Sequence, residues 1–426
     1  MVNSFRVIAK IGGGILPDKE AFERAAHLAL EQKFNVVAIS AAKGITKMLD
    51  SACTEAINNE FSSFEKIKLL HESIYKDSIS SQMHNQLYKK LKHISQEHSF
   101  SDSQKAAIKC FGEQFSAYVF SKLSGFKLLL PEKIQIGAKG SYLEAVADGK
   151  NFNYSLFNGK NAVVAGYYGV DNGEIKLFGR SGTDYTAAFL AKMLGAPEIY
   201  FFKEVDGYMT ANPKIVKNAK LRYWMDYNEV KLLGNSGSEI IHPGVAKLLE
   251  DTSIISFIKN FYKPNKNGTR ISSRKPNGYD GFSIANKETA LLSIEDIKMA
   301  QAPNYAADVF GKIGKENINI EIIGTAQTSL SFTTSREDGR KAYNIITKAG
   351  YTNAIFNEDV SLISVVGDIL DFPLLLKKTF QIIFEGNYKV HLLSQAQRSP
   401  ALSIVVDEFQ TNEIVNKLHD SLMRNA

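Results

Sequence analysis

The hydrophobic positions near the start of the chain change period twice. Phe5–Ile11 is a short, nearly continuous apolar run of strand length, interrupted by charge at Arg6 and Lys10 and followed by Gly12-Gly13-Gly14. Asp18–Gln32 then carries apolar residues at helical spacing behind a capping aspartate, and Asn35–Ile39 is a second apolar run. Strand, helix and strand in that order predict the βαβ start of a parallel sheet.

From about Glu60 to Leu123 the pattern is helical, with no strand signal. Short strands and turns recur between Leu128 and Leu177, the clearest being Asn161–Ala165, which runs into Gly166-Tyr167-Tyr168-Gly169. The densest stretch is Phe178–Lys214. A polar turn (Gly179, Arg180, Ser181, Gly182) leads into Thr183 and Asp184, a helix of small apolar residues runs to Leu194, and Gly195 stops it. The apolar run Glu198–Phe202 reads as a buried strand, ending in the polar turn Lys203-Glu204-Val205-Asp206-Gly207. Helices are expected at Tyr227–Leu233 and Ile240–Leu249, with a further strand at Ser253–Lys259.

Beyond about Thr289 there is a weak internal repeat. Ile322–Thr328 aligns with Leu392–Arg398, each copy preceded by a helix (Tyr305–Lys315; Leu374–Glu385) and followed by a strand (Ser329–Thr333; Ala401–Val406).

Composition narrows the field. At 426 residues, 44% of them apolar, the chain is long for one core and ordinary for a folded protein. Its net charge of +6 is spread over 51 basic and 45 acidic residues without a dense basic run, so a nucleic-acid role finds little support. The two cysteines, Cys53 and Cys110, suit reduced thiols and lack metal-ligand spacing. No apolar run reaches membrane-spanning length, and the immediate strand-like run leaves no room for a signal peptide, so a cytoplasmic protein is expected.

Candidate chemistry gathers at the strand ends. Lys10 beside three glycines lets backbone approach a phosphate while an ammonium supplies charge, although the spacing is not that of a P-loop and a tight turn fits as well. Ser40-Ala41-Ala42-Lys43-Gly44-Ile45-Thr46 puts small hydroxyl residues where open α/β sheets bind ligands; helix capping is the plainer alternative. Glu113, on its own, reads as a solvated helix residue. Arg180 and Asp184, four apart at a helix start, fit a surface ion pair as well as an anion site.

Taken together these stretches resemble the aspartate kinases of the amino-acid kinase family. That family carries Lys-Phe-Gly-Gly-Thr-Ser, Ser-Ala-x-x-Gly-(Ile/Val)-Thr, Gly-Glu-x-x-Ser and Gly-Arg-Gly-Gly-Ser-Asp-Tyr; here they stand as Lys10–Ile15, Ser40–Thr46, Gly112–Ser116 and Gly179–Tyr185. Gly268-Thr269-Arg270-Ile271 and His242-Pro243 resemble further family segments, and the repeat resembles the paired ACT modules that end aspartate kinases. The resemblance implies an α/β three-layer sandwich with a mainly parallel sheet over residues 1–285. Two ferredoxin-like βαββαβ modules would follow over residues 286–426, serving regulation or dimerisation.

It also implies an activity: ATP- and Mg2+-dependent phosphorylation of L-aspartate to 4-phospho-L-aspartate, the first step toward lysine, threonine and methionine. Lys10, with Gly12 and Gly13, would hold the β/γ phosphates, and Asp184 would orient Lys10. Ser40, Thr46, Glu113 and Arg180 would grip the amino acid, the arginine by a bidentate fork on its α-carboxylate. The nucleotide wall departs from the family pattern. Lys203-Glu204-Val205 stands for Thr-Asp-Val, Met209 for a tyrosine, Asn212-Pro213-Lys214 for Asp-Pro-Arg, and Glu239 for a lysine. Lys203 is expected to restore the charge that Glu239 removes. Two other readings remain: a catalytically weak relative that binds amino acids and regulates a partner, and a kinase of the same fold acting on another small amino-acid carboxylate. A homodimer is expected, with the modules either binding an amino-acid effector or serving as a platform without ligand.

Overall fold

The computed structural model describes residues 7–238, 240–278, 281–367, 372–395 and 401–423. It divides into two compact units: Met1–Gly207 with Tyr223–Tyr227 and Ile241–Lys275, and Tyr208–Arg222 with Asn228–Ile240 and Pro276–Ala426.

In the first unit, β1 (Val7–Ile11), α1 (Lys19–Glu31) and β2 (Val36–Ile39) form the expected βαβ start. Asp18 caps α1, its side chain accepting the Ala21 N–H at 2.9 Å. A helical layer follows: α2 (Ile45–Ile57), α3 (Ser62–Ile74), α4 (Ser78–Glu97), α5 (Asp102–Lys109) and α6 (Phe111–Ser124). Next come β3 (Lys127–Leu129), α7 (Pro131–Ile134), β4 (Gly137–Gly140), β5 (Ala145–Asp148), β6 (Ala162–Ala165), β7 (Tyr168–Asp171), β8 (Glu174–Leu177), α8 (Gly182–Leu194) and β9 (Glu198–Lys203). The series ends with β10 (Trp224–Asp226), α9 (Tyr227–Asn235), α10 (Pro243–Leu249), β11 (Ile255–Asn260) and β12 (Thr269–Ser272), α9 running from this unit into the other.

Eight strands make one sheet in the order β10-β12-β11-β9-β1-β2-β6-β3, parallel except where β12 returns beside β11. Strands buried on both faces read as unbroken apolar runs, and β2 and β6 do so because helices cover them; β1 breaks the pattern only at Lys10. Helix α8 packs on β1, β2 and β9 through small residues, with Ala187, Ala188 and Ala191 fully buried. The fully buried Phe22, Phe34, Phe115, Phe120, Phe201 and Phe202 each contribute about 1.5–3 kcal/mol of transfer free energy. A smaller four-stranded sheet, β5-β4-β7-β8, carries the short strands after α7.

The second unit continues with β13 (Phe282–Glu295), α11 (Tyr305–Lys315), β14 (Ile323–Thr325), β15 (Ser329–Thr334), α12 (Arg336–Lys348), β16 (Ala354–Gly367), α13 (Phe372–Glu385), β17 (Val390–Ser394), β18 (Ala401–Asp407) and α14 (Thr411–Met423). Its sheet is antiparallel throughout, in the order β14-β15-β13-β16-β18-β17. The two central strands, 14 residues each, serve both modules. Ala290–Glu295 pairs with β15 and with the start of β16, above a core of Leu292, Ile294, Val309, Ile313, Phe332 and Ile346. Phe282–Thr289 pairs with the end of β16, which in turn pairs with β18, above a core of Ile284, Val365, Leu375, Ile404, Ile414 and Leu418. The register shift between Thr289 and Leu291 marks the passage from one module to the other. Both repeat helices and both following strands lie where the pattern put them. Residues 396–398 of the second copy lie outside the described residues.

Candidate active site

β1 lies inside the eight-stranded sheet with β2 on one side and β9 on the other, so the chain diverges at its carboxyl end. Open α/β sheets bind ligands at such a divergence. Lys10 sits near the end of β1, Ser40 follows β2 and Lys203 ends β9. They open into one cleft of about 620 Å3, which Thr46, Glu113, Arg180 and Asp184 also line.

Asp184 is the centre of charge. It occupies the first turn of α8, where the helix end favours an anion, and is 1% exposed. The Lys10 ammonium lies 2.7 Å from one of its carboxylate oxygens and the Lys203 ammonium donates to the other, also at 2.7 Å. Burial raises the Asp184 carboxyl, but the two ammonium groups outweigh it and hold it below the usual carboxylate range. For Lys10 burial wins. It pulls the ammonium down to about 8, with Asp184 opposing and Lys203 adding to the fall.

A second buried carboxyl of the cleft stands on α6. Glu113 is 3% exposed and burial pushes it up to about 8, against a backbone hydrogen bond from Ala41 that favours the ionised form. Its Oε2 has no hydrogen-bond partner among the described residues. Gly112 makes this approach possible, since a Cβ there would stand 2.7 Å from the Ala41 Cβ and 2.9 Å from Ile45. Arg180 is exposed at the mouth of the cleft, just before Ser181, which turns the chain into α8 with a left-handed φ of 58°.

Lys10, Gly13, Ser40, Thr46, Glu113, Arg180, Asp184 and Lys203, eight of the candidates, therefore share one cleft. Of the neighbouring glycines, Gly13 is the one that backbone demands: a Cβ would lie 2.5 Å from the Ala41 carbonyl oxygen. At Gly12 the obstacle would be the flexible Lys10 ammonium at 2.8 Å, and at Gly14 the Glu204 carboxylate at 2.0 Å. Glu204 thus reaches the glycine turn, whereas Val205 is 45% exposed and is not among the lining residues. Met209 and Lys214 belong to the second unit, where Met209 bridges to Leu221 and Lys214 is exposed. Glu239 lies outside the described residues.

The cleft also holds residues that pattern reading passed over: Lys43, Lys105, Lys109, Glu144 and Tyr167. The lining then carries six cationic side chains (Lys10, Lys43, Lys105, Lys109, Arg180, Lys203) against three acidic ones (Glu113, Glu144, Asp184), a balance suited to anionic ligands. Lys43 and Tyr167 fall within the Ser40–Thr46 and Gly166–Gly169 stretches, whereas Lys105, Lys109 and Glu144 fall in no motif.

The comparisons with known proteins agree with this architecture. A family model described as "Amino acid kinase family" matches residues 5–260, and one described as "ACT domain" matches residues 292–349. Aspartokinase 1 (chloroplastic) of Arabidopsis thaliana is 24% identical over 457 residues, covering 98% of this chain and 80% of that protein. Lysine-sensitive aspartokinase 3 of Escherichia coli K12 is 21% identical, covering 98% and 99%. The crystal structure of E. coli aspartokinase III in complex with aspartate and ADP superposes with a TM-score of 0.82 at 20% identity, over 98% of this chain and 100% of that one. With a family model matched across more than half its length, this chain belongs to the amino acid kinase family, and an ACT domain follows the kinase portion.

Proposed function

We propose that this chain transfers the γ-phosphoryl group of ATP to the side-chain carboxylate of L-aspartate, giving 4-phospho-L-aspartate and ADP. The observation that carries the reading is a single cleft lined both by the Lys10–Asp184–Lys203 cluster and by Glu113 and Arg180. The names of the relatives, aspartokinases of a plant and of E. coli, point the same way.

The attacking carboxylate is already ionised at neutral pH, so no general base is required. One of its oxygens bonds to the γ-phosphorus, the bond to the bridging oxygen breaks, and ADP leaves with the electron pair. What the protein must supply is the approach of two anions and neutralisation of the transferring charge. The residues fit a nucleotide triphosphate: two ammonium groups on one buried carboxylate, and a glycine turn held against the Ala41 carbonyl where a side chain would intrude. Lys10 and Lys203 would take the phosphates, with Gly12, Gly13 and Glu204 along the turn and Val205 toward the rest of the nucleotide; Met209 and Lys214, in the other unit, are given no part in it. For the amino acid, Glu113 would receive the ammonium, Arg180 the α-carboxylate, and Ser40 and Thr46 hydrogen bonds. A magnesium ion held by protein alone does not fit, since no group of three or more His, Cys, Asp or Glu side chains among the described residues could hold one. An ion carried on nucleotide oxygens needs only one or two carboxylates. Residues 1–285 would form the catalytic domain. Residues 286–426 would join two chains as a cytoplasmic homodimer and offer a seam for an amino-acid effector; the two free, buried cysteines suit that compartment.

Coupled ADP release with aspartate, with glutamate and with no acceptor tests the reading. Release that requires aspartate is expected. Release with glutamate alone, or equal release without acceptor, would refute it.

A further inference from the structure

We propose that Lys109, tethered by Asp50, is a positioning residue for the amino-acid end of the cleft: it favours the ionised form of the Glu113 carboxylate while leaving the place of the substrate's ammonium open. The inference rests on the aspartate-kinase reading above and adds to it a residue pair outside the motifs that carry the resemblance.

The geometry begins with a helix junction. α5 ends at Lys109 and α6 begins at Phe111, but Cys110 between them keeps helical angles (φ −65°, ψ −16°). The helical path therefore continues, and residues four apart share a face. Lys109 and Glu113 are such a pair, and both line the cleft. The Lys109 side chain is 14% exposed, and its ammonium donates to the Asp50 carboxylate of α2 at 2.8 Å. Lys105, one turn earlier, reaches the other oxygen of Asp50 at 3.3 Å.

Glu113 faces a conflict that this arrangement resolves. A protonated carboxyl cannot form an ion pair with an ammonium, and burial pushes Glu113 toward protonation. Several groups act on it. Lys109 and the Cys110 thiol come from its own helical stretch, Lys10 from β1, and the Tyr167 hydroxyl from beyond β6; Asp50 of α2 stands behind Lys109. Of these, Lys109 and Lys10 favour the ionised carboxylate, and Lys10 is already committed to Asp184. Yet a lysine ammonium is chemically what an amino-acid substrate presents to Glu113. If Lys109 closed on the unpartnered Oε2, it would occupy the substrate's place. Asp50 draws the ammonium aside, so that its field is felt while Oε2 stays open.

Two measurements test the pair. Lys109→Met is expected to raise the KM for aspartate about tenfold at pH 7 but only about twofold at pH 9, the pattern of a one-unit rise in a group titrating near 8, with kcat little moved. Lys109→Arg should restore the wild-type KM. Asp50→Asn should raise the KM at both pH values, because a released Lys109 competes at Oε2. A KM change in Lys109→Met that is absent, or is the same at both pH values, overturns the proposal.

The second measurement needs no substrate. A carboxyl raised in the fold costs stability progressively above its unfolded value and no further once it is ionised. The urea midpoint of the first unit, followed by the emission of the single tryptophan, Trp224, should therefore fall with rising pH in wild type relative to Glu113→Gln and level off above about 8. In a Lys109→Met background the levelling should move upward by about one unit. If it stays in place, Lys109 does not act on Glu113. Absence of aspartate-dependent ADP release from the wild-type chain would overturn the functional reading instead, and the levelling pH would still decide the role of Lys109.

Discussion

Replacing Asp184 by asparagine removes the one carboxylate that two ammonium groups share. The side chain is nearly isosteric, so the change is one of charge. Lys10 and Lys203 each lie 2.7 Å from a carboxylate oxygen, and at an effective dielectric of about 20 each contact is worth roughly 6 kcal/mol before desolvation. Most of that offsets the cost of burying the ions, and removing one partner of a buried pair typically costs 3–5 kcal/mol. Lys10 has an escape. Already lowered to about 8, it can shed its proton at a cost of about 1.4 kcal/mol per pH unit below that value. The expected loss at pH 7 is therefore near the lower end, about 3 kcal/mol. It should shrink as pH rises to 9, where Lys10 is largely neutral in wild type as well. The chain has two units, so a global two-state fit is unsafe. Its single tryptophan, Trp224, lies in β10 of the first unit, and tryptophan emission during urea unfolding isolates that unit. Adding Lys203→Met should recover part of the loss. A loss below about 1 kcal/mol, or one equal at pH 7 and pH 9, would refute the view of Asp184 as a buried counter-charge.

Lys203→Thr should raise the KM for ATP sharply, and an unchanged constant would dismiss a phosphate role for Lys203. Because Lys203 helps to lower Lys10, a loss of activity on the alkaline side near pH 8 should move to higher pH in the same variant. A limb that does not move would sink that coupling. Burial pushes the Cys53 thiol up to about 12 and the Cys110 thiol higher still, so both are poor nucleophiles in the fold. A thiol reagent should label neither at pH 8 within minutes and both after guanidinium is added; rapid native labelling would contradict their burial.

Strand and helix were legible where period and punctuation agreed. The run Asn35–Ile39 could only be a buried strand once Asp18–Gln32 supplied a covering helix, and the strand found is Val36–Ile39. Helix α10 starts at Pro243, not at Ile240, because His242 takes the capping position and its ring nitrogen accepts the Gly244 N–H at 3.1 Å. At the site, Lys10 and Asp184 were recognisable because their neighbours are glycines and a helix start. Glu113 was not legible from periodicity, which reads it as solvated. Its burial comes from Gly112 letting α6 press against the Ala41 loop, a contact between segments distant in sequence. The same holds for Lys105 and Lys109, which enter the cleft only when α5 folds beside α2. The glycine turn was legible as a close approach, but not the identity of the group approached.

The long strands β13 and β16 make the two C-terminal modules mechanically inseparable. Each ribbon leaves one hydrophobic core and enters the other without a hinge loop, so a tilt imposed in one half is carried along the same backbone into its neighbour. Cutting the chain at Thr289 would part Phe282–Thr289 from the rest of the sheet, so that the end of β16 would lose its partner strand and show a raw edge while Ala290–Glu295 stayed paired.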